Sequence, residues 1–253
     1  MKTIHICTLK YGNKYSYKNV NNLYTSISNH CHNFKFHCLT DDSSDLNENI
    51  NVITIKENLN ELIHWNKLRF YDGEFISANY GDEIIIMDID QMFIGNSSKI
   101  INHPIKKGEH LFAYRWWTAH KHMCPINGGL QKFVYDGSQK YVLDKFMSAP
   151  SKWMMHYHLL TLQNKTTEYV RPKYGEQNFI YDNFKQSHSI KYFPKELVIK
   201  LSNDPILLDK LKQRYKKECS EELYIDGRIS PSAVLVHYAG EGNDLPPLVD
   251  TSV

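Results

Sequence analysis

The sequence has little net charge, and it lacks long apolar runs. Its 30 Lys and Arg residues nearly balance 28 Asp and Glu residues, which leaves a formal charge of +2. Such a balance creates no global field that would attract nucleic acid. The most apolar run, residues 84–87, is far too short to span a bilayer. The amino terminus also has no apolar stretch typical of a secretory signal. We therefore expect no nucleic-acid partner and no membrane span.

Paired cysteine motifs are missing as well. The five cysteines are odd in number, and none occurs in a C-x-x-C arrangement. This pattern disfavours a disulfide framework, and it favours free thiols in a reducing compartment. We therefore expect a cytoplasmic protein.

The composition is that of a folded protein. The chain has 253 residues, of which 42% are hydrophobic, and this fraction is far too high for a disordered tail. No linker rich in Pro, Gly and Ser interrupts the chain, and no internal repeat is present. We therefore predict one continuous domain over residues 1–253.

Strand and helix patterns alternate in the first half of the chain and continue less regularly afterwards. We predict strands at 3–8, 34–39, 52–55, 83–87, 111–114 and 233–238, and helices at 19–29, 59–76, 139–147, 152–162, 176–184 and 205–217. Residues 83–87 are too hydrophobic for a strand with a solvated face, so they belong in the middle of a mostly parallel sheet. The pattern predicts an α/β, Rossmann-like domain whose central sheet is flanked by helices.

Two acids, Asp88 and Asp90, directly follow that buried strand. At this spacing in an extended chain both carboxylates point the same way, at the strand end where open α/β sheets bind ligands. Adjacent carboxylates repel each other unless a cation holds them, and hard oxygen ligands suit Mg²⁺ or Mn²⁺. Two solvated turn acids are the alternative interpretation.

A histidine, His237, ends another apolar strand and is followed by a turn of small residues that includes Gly240. A neutral imidazole there could complete the cation site and would favour Mn²⁺ over Mg²⁺. Backbone N–H groups at the Gly240 turn could approach phosphate oxygens. An ordinary histidine with a satisfied hydrogen bond is the alternative.

Two further segments combine polar side chains with glycine. Residues 125–130 hold Asn127 beside two glycines, which suits close approach of a polyhydroxylated ligand or a simple turn. Residues 174–179 place Glu176 and an amide at a predicted helix start, where acids are also common for electrostatic reasons alone.

Six features occur in a fixed order along the chain. They are an amino-terminal strand with Thr8, then Trp65-Asn66-Lys67-Leu68, Asp88-Ile89-Asp90, Asn127-Gly128-Gly129, Gly175-Glu176-Gln177 and His237-Tyr238-Ala239-Gly240. In this order the sequence resembles the GT-A fold glycosyltransferases that use nucleoside-diphosphate sugars, over about residues 3–240. It looks nearest to the glycogenin and lipopolysaccharide-galactosyltransferase type and to small viral and bacterial relatives.

The resemblance implies a metal-dependent enzyme that moves a hexosyl or deoxyhexosyl group from a UDP-sugar to a glycan or other hydroxyl acceptor. It implies a nucleotide-binding half at about residues 1–100 and a half for sugar and acceptor at about residues 101–253. The implied ligands of Mn²⁺ or Mg²⁺ are Asp88, Asp90 and His237. The implied nucleotide contacts are Thr8, Tyr11, Lys67 and Asp88. The implied sugar or acceptor contacts are Asn127, Gly128, Gly129, Glu176 and Gln177.

The catalytic candidates are Glu176 and Gln177, and their roles depend on the stereochemistry. If the product anomer is inverted, a carboxylate must deprotonate the acceptor, and Glu176 is the candidate base. If the anomer is retained, no such base is needed, and Gln177 could stabilise the sugar face. The sequence also departs from the family, since no lysine follows His237 in residues 238–243. Phosphate contact then falls to Lys67 or to another lysine.

Two alternatives of other classes stay open. An apolar strand followed by Asp88 and Asp90 is also typical of haloacid-dehalogenase-like phosphatases, although their motif usually lies near the amino terminus. A non-catalytic carbohydrate- or metal-binding module is the second alternative. Its support is the histidine pairs 30/32, 120/122 and 156/158, which lack the spacing of a structural zinc site.

Overall fold

The computed structural model describes residues 2–54, 59–118, 124–163 and 175–238. In chain order, the described strands are β1 (Ile4–Lys10), β2 (Lys35–Thr40), β3 (Ile50–Thr54), β4 (Glu83–Met87), β5 (Gln91–Phe93), β6 (Glu109–Tyr114), β7 (Ile126–Val134), β8 (Ser189–Tyr192), β9 (Val198–Leu201), β10 (Tyr224–Ile225), β11 (Arg228–Ile229) and β12 (Leu235–Tyr238).

The helices lie between these strands. They are α1 (Tyr17–Ser28), α2 (Leu59–Leu62), α3 (Ser98–Ile101), α4 (Lys140–Met147), α5 (Pro150–Gln163), α6 (Gly175–Ser187) and α7 (Pro205–Cys219), with 3₁₀ segments at Ile63–Tyr71, Gly73–Ile76 and Lys195–Leu197. Within the described ranges, none of the helices has the length and apolar character needed to cross a bilayer.

A seven-stranded sheet runs through the molecule in the order β3-β2-β1-β4-β7-β6-β8. Strands β3, β2, β1 and β4 are parallel to one another, whereas β7 is antiparallel to both β4 and β6. The predicted α/β class with a mostly parallel sheet is therefore confirmed. The chain leaves β1 toward β2 and β3 on one side and returns to β4 on the other. Ligands bind at such a switch point, outside the carboxyl ends of the strands.

The apolar core forms two layers, one on each face of this sheet. Alternate residues of β4 supply both layers: Ile85 packs with α1, α7 and strands β5, β9 and β12, whereas Ile84 packs with the 3₁₀ segments and α4 to α6. All five residues of β4 are buried, as predicted for a strand with no solvated face. A small sheet, β5-β12-β9, lies over the first face and carries His237 on β12.

One prediction about local structure is wrong, and the alternative interpretation of residues 125–130 as a simple turn is wrong as well. The helix predicted over residues 59–76 is a short α2 followed by two 3₁₀ segments, because Ile63 has a φ of 47°, which breaks the α-helical hydrogen-bond ladder. Residues 125–130 are not a turn. They belong largely to β7, and its pairing with β6 shifts by three residues between Asn127 and Gln131. That shift interrupts the ordinary ladder pairing of the two strands.

Candidate functional site

Three predicted ligands meet at the carboxyl end of β4. Asp88 and Asp90 follow this strand directly, and the antiparallel pairing of β12 with β5 sets His237 opposite Gln91. One ligand atom from each of Asp88, Asp90 and His237 lies within 4.8 Å of the other two. Two strands far apart in sequence thus bring together two carboxylates and an imidazole, as predicted.

The donor set fits a divalent cation. The Oδ1 atom of Asp90 is buried and has no hydrogen-bond partner in the part of the chain that the structure describes, and His237 Nε2 lies 3.5 Å from it. A buried carboxylate oxygen that lacks a partner carries a free-energy cost which a bound cation would remove. Burial by itself raises the pKa of Asp90, but the adjacent imidazole of His237 lowers it to about 2. Asp90 is therefore ionised, and ionised carboxylates with one imidazole suit Mn²⁺ or Mg²⁺.

The imidazole of His237 is held from its other side. Asn127 Nδ2 lies 2.9 Å from His237 Nδ1, and Asn127 Oδ1 in turn accepts a hydrogen bond from the backbone N–H of Gly129. Trp117 packs edge-on against the same imidazole at 5.9 Å between ring centroids. These contacts fix the ring so that Nε2 faces Asp90. The sequence predicted Asn127 as a sugar contact, and the structure places its side chain against His237, a candidate metal ligand.

Lys67 bridges the two acidic parts of the site. Its Nζ donates to Asp88 Oδ1 at 2.7 Å and lies 3.5 Å from Glu176 Oε1. Burial by itself lowers the pKa of Lys67, but the carboxylates of Asp88 and Glu176 raise it above its usual value. The lysine is therefore a permanent cation that offsets one carboxylate of the candidate cation site.

Glu176 lies at the start of α6 and is 2% exposed. Its burial raises the pKa of the carboxyl group to about 7, against the lowering effect of Lys67, while Asp88 raises it further. A carboxyl group with a pKa near neutrality can exchange a proton with a neighbouring group under ordinary conditions. The neighbouring Gln177 is bound to the backbone, since its Oε1 accepts from Gly128 N at 3.0 Å.

The two glycines of β7 are required by close packing. A Cβ atom on Gly129 would lie 2.2 Å from Asp88 Oδ2, and one on Gly128 would lie 2.9 Å from Gln177 Cγ. Both contacts are shorter than any side chain tolerates, so only glycine lets Asp88 and Gln177 lie against this strand. The predicted segment 127–129 thus adjoins both the cation site and α6.

The predicted nucleotide contacts on and directly after the first strand, Thr8 and Tyr11, differ from each other. Thr8 is fully buried, and its hydroxyl donates to the carbonyl of Met87 at 3.0 Å, so it ties β1 to the strand before Asp88. Tyr11 is half-buried beside the charged cluster. Burial raises the pKa of its hydroxyl, as do Asp88 and Glu176.

Four residues at the site were not predicted from the sequence, namely Tyr15, Gln91, Trp117 and Lys200. The Tyr15 hydroxyl donates to Asp90 Oδ2 at 3.2 Å, and Gln91 Nε2 lies 3.4 Å from His237 Nδ1. Lys200 lies beside His237 on β9, over the ring of Trp117. The position of Gln91 next to Asp90 is a signal that could have identified it. Lys200 had no such signal, because β9 itself was not predicted. The predicted Gly240 turn lies outside the described residues.

Comparison with solved structures identifies the fold. The galactosyltransferase LgtC superimposes with a TM-score of 0.58 at 12% identity, over 92% of this chain and 86% of LgtC. The glycosyltransferase GlyE of Streptococcus pneumoniae TIGR4 has a TM-score of 0.56 at 14% identity, over 94% of this chain and 55% of GlyE. Mouse xyloside xylosyltransferase 1 has a TM-score of 0.52 at 11% identity, over 93% of this chain and 97% of that protein.

These three structures are glycosyltransferases, and the chain has their GT-A fold, as the sequence predicted. The chain spans about half the length of GlyE and most of the other two. No protein-family model matches the sequence, and neither does any curated protein. At such low identity the likeness establishes the fold and not the activity.

Proposed function

We propose that the protein is a metal-dependent glycosyltransferase. It transfers a hexosyl or deoxyhexosyl group from a nucleoside-diphosphate sugar, a UDP-sugar in the first instance, to a glycan or another hydroxyl acceptor. The observation that carries this proposal is the cluster of Asp88, Asp90 and His237 at the switch point between β1 and β4. In a GT-A fold, this is the place where a donor diphosphate and its cation meet the protein.

The three ligands would hold Mn²⁺ or Mg²⁺. Such a cation neutralises the negative charge that develops on a departing nucleoside diphosphate. Lys67 keeps Asp88 in place through its 2.7 Å hydrogen bond. Tyr15 and His237 do the same for Asp90, so that both carboxylates are oriented before the donor binds. This preorganisation saves the cost of ordering the ligands when the donor arrives.

Glu176 and Gln177 are proposed to act on the sugar and the acceptor. A pKa near 7 supports Glu176 as the base of an inverting transfer, in which it takes the proton of the acceptor hydroxyl. The contact of Gln177 with Gly128 supports a role for Gln177 at the sugar face in a retaining transfer. Nuclear magnetic resonance of the product anomer decides between the two assignments.

The remaining assignments extend the same proposal. Residues 1–100 supply the nucleotide side through Tyr11 and Lys67, with the buried Thr8 holding β1 against β4 behind them. Residues 101–253 supply the sugar and acceptor side, so the chain acts as one catalytic domain. The free cysteines support a cytoplasmic location, since the described cysteines form no disulfide.

A thermal-shift screen of UDP-, GDP- and CDP-sugars tests the donor. Each sugar nucleotide is added with Mn²⁺, with Mg²⁺ or with a chelator. A ligand that binds only the native state raises the melting temperature, so the true donor raises it with metal and not with chelator. Nucleotide release is then measured with that donor, and Asp88→Ala abolishes it while the protein stays folded.

Asp209→Asn is the matched control, because Asp209 is an exposed carboxylate on α7 that is remote from the site in sequence and element. It retains wild-type nucleotide release. Full activity of Asp88→Ala contradicts the proposal, and so does a protein that binds none of the sugar nucleotides. Hydrolysis of simple phosphomonoesters without nucleotide release supports a phosphatase instead.

A further inference from the structure

Lys200 brings a second lysine to the candidate cation site, on β9, whereas Lys67 lies on the 3₁₀ segment Ile63–Tyr71. It lies on β9 directly beside His237, because β9 and β12 are parallel and these two residues are register partners. Its charge interacts with Asp90 and, more weakly, with Asp88, whereas Lys67 is bonded to Asp88. The two lysines therefore come from different elements and act chiefly on different aspartates.

The two lysines differ in what they bind. Lys67 is fully engaged by Asp88 and Glu176. Lys200 forms no hydrogen bond or ion pair with any residue that the structure describes, and its Nζ lies 5.6 Å from the ring centroid of Trp117. Burial lowers the pKa of Lys200, and Arg115 lowers it further, against the raising effect of Asp90. A lysine held in such surroundings without a carboxylate partner is available to an anion.

The charge balance of the site indicates which anion. Lys67 and Lys200 bring two positive charges to Asp88, Asp90 and Glu176, so a bound divalent cation leaves the site with a net positive charge whether or not Glu176 is ionised. A diphosphate bound to the cation supplies negative charge of that size next to Lys200. A neutral sugar or a cationic ligand would leave the excess uncompensated.

We propose that Lys200 binds the diphosphate of the donor, on the Asp90 side of the cation, and that Trp117 positions its ammonium group. This inference rests on the proposed function and adds a residue to it. It also accounts for the absence of a lysine after His237, because β9 then supplies a phosphate-binding cation from the strand next to it.

Binding of Mn²⁺ and of pyrophosphate, each measured by calorimetry, tests the proposal without knowledge of the nucleobase. Lys200→Met weakens pyrophosphate binding to the Mn²⁺-saturated protein at least about tenfold, as expected for loss of a charge-assisted hydrogen bond. The same variant binds Mn²⁺ alone about 2- to 5-fold more tightly, because a like charge beside Asp90 has been removed. Lys200→Arg retains the pyrophosphate affinity within about threefold.

The two affinities separate the possible outcomes. If both fall in Lys200→Met, the residue is structural and the proposal is wrong. If pyrophosphate binding is unchanged, Lys200 only balances Asp90, and the proposal is also wrong. Lys200→Gln replaces the Met variant if that variant does not fold, and Lys210→Met on the exposed face of α7 is the matched control. A wild-type protein that binds neither Mn²⁺ nor pyrophosphate overturns the proposed function together with this inference.

Discussion

Both ends of strand β4 carry buried charged groups, and the charged groups described at its amino end are hydrogen-bonded more completely than those at its carboxyl end. At the amino end of β4, Asp82 accepts hydrogen bonds from the backbone N–H groups of Thr3 and Asn79, both at 2.8 Å, and His5 Nε2 lies 3.3 Å away. His5 in turn contacts His37, with 3.0 Å between ring nitrogens. Both carboxylate oxygens of Asp82 and both ring nitrogens of His5 thus have a partner.

The neighbouring pair of Glu83 and Lys132 is equally well satisfied. Lys132 Nζ lies 3.0 Å from Glu83 Oε2 and donates to the carbonyl oxygens of Ile101 and His103. The other oxygen of Glu83 accepts from Lys2. A buried ion pair of this kind costs little only when such additional hydrogen bonds satisfy the remaining donors and acceptors.

The carboxyl end of the same strand is different. Among the described residues, Asp90 Oδ1, Gln91 Oε1 and Glu176 Oε1 are buried and form no hydrogen bond, although Lys67 Nζ lies 3.5 Å from Glu176 Oε1. Burial raises the pKa of Glu176 to about 7. Partly satisfied polar clusters in a low-dielectric site destabilise a fold. The comparison therefore assigns stability to the amino end and ligand binding to the carboxyl end.

The largest expected effect separates the two ends by activity. Asp90→Asn lowers the rate of nucleotide release about 1000-fold, or about 4 kcal/mol, because an amide is a poor ligand for a divalent cation. Asp82→Asn keeps the activity of the folded protein but unfolds at lower denaturant, because it weakens buried hydrogen bonds to a carboxylate. If Asp90→Asn and Asp82→Asn lose the same activity when equal fractions of the two proteins are folded, the functional distinction between the two ends is wrong.

Lys132→Met tests the amino end by stability. It leaves Glu83 buried with Lys2 as its remaining partner, and it lowers the free energy of unfolding by about 3–5 kcal/mol. Denaturant titration measures this change. Lys107→Met is the control, because Lys107 is exposed and its Nζ lies 3.9 Å from Asp136 Oδ2. Loss of this ion pair costs about 0–1 kcal/mol. If the two variants are equally stable, the buried pair does not stabilise this end of the sheet.

Acid provides a third test, because the two ends respond to pH in opposite directions. Burial lowers the pKa of His37 to about 4, with His5 and Lys35 adding to the effect. As the pH falls from about 6.5 to 4, the unfolded chain binds a proton before the folded protein does, so stability falls by about 2–3 kcal/mol. His37→Gln removes this part of the loss in denaturation experiments at pH 6.5 and 4.5.

Glu176 acts in the other direction over part of this range. Its folded pKa of about 7 lies above the ordinary value, so its contribution to stability is present at low pH and is lost as the pH rises from about 4.5 to 7. Glu176 is present in both wild type and His37→Gln, so its contribution cancels when the pH dependence of the unfolding free energy of one protein is subtracted from that of the other. An unchanged pH dependence in His37→Gln contradicts the assignment to the amino end.

The smallest expected effect concerns the geometry of the carboxyl end. Gly129→Ala places a methyl group where Asp88 Oδ2 now lies, so the carboxylate must move and Mn²⁺ affinity falls about tenfold, or about 1.4 kcal/mol. The Cβ atom of Gly95→Ala meets nothing closer than 3.4 Å, so this variant is the control. Calorimetric titration with Mn²⁺ compares them, and equal affinities would show that Asp88 needs no such packing.

The sequence predicted the centre of the fold and of the site because both have local signals. The apolar residues of β4 indicate a strand buried on both faces, and the acids after it mark its carboxyl end. His237 follows a second apolar strand. The rule that ligands bind at the carboxyl ends of strands joined these two signals, although they are about 150 residues apart.

The rest of the site depends on contacts that leave little trace in the sequence. Gly128 and Gly129 are typical of a turn, and their place in β7 follows only from the packing of Asp88 and Gln177 against them. The apolar spacing over residues 59–76 is helical, yet Ile63 interrupts the helix. Lys200 acquires its environment through the register of β9 with β12, which no local pattern indicates.

The most direct test is equilibrium binding of Mn²⁺ to the wild-type protein and to Asp90→Asn and Asp82→Asn, with no nucleotide present. The account predicts one site of equal affinity in wild type and Asp82→Asn, and affinity at least about 100-fold weaker in Asp90→Asn. Equal binding by all three proteins, or no binding by the wild type, would contradict the assignment of the carboxyl end as a cation site.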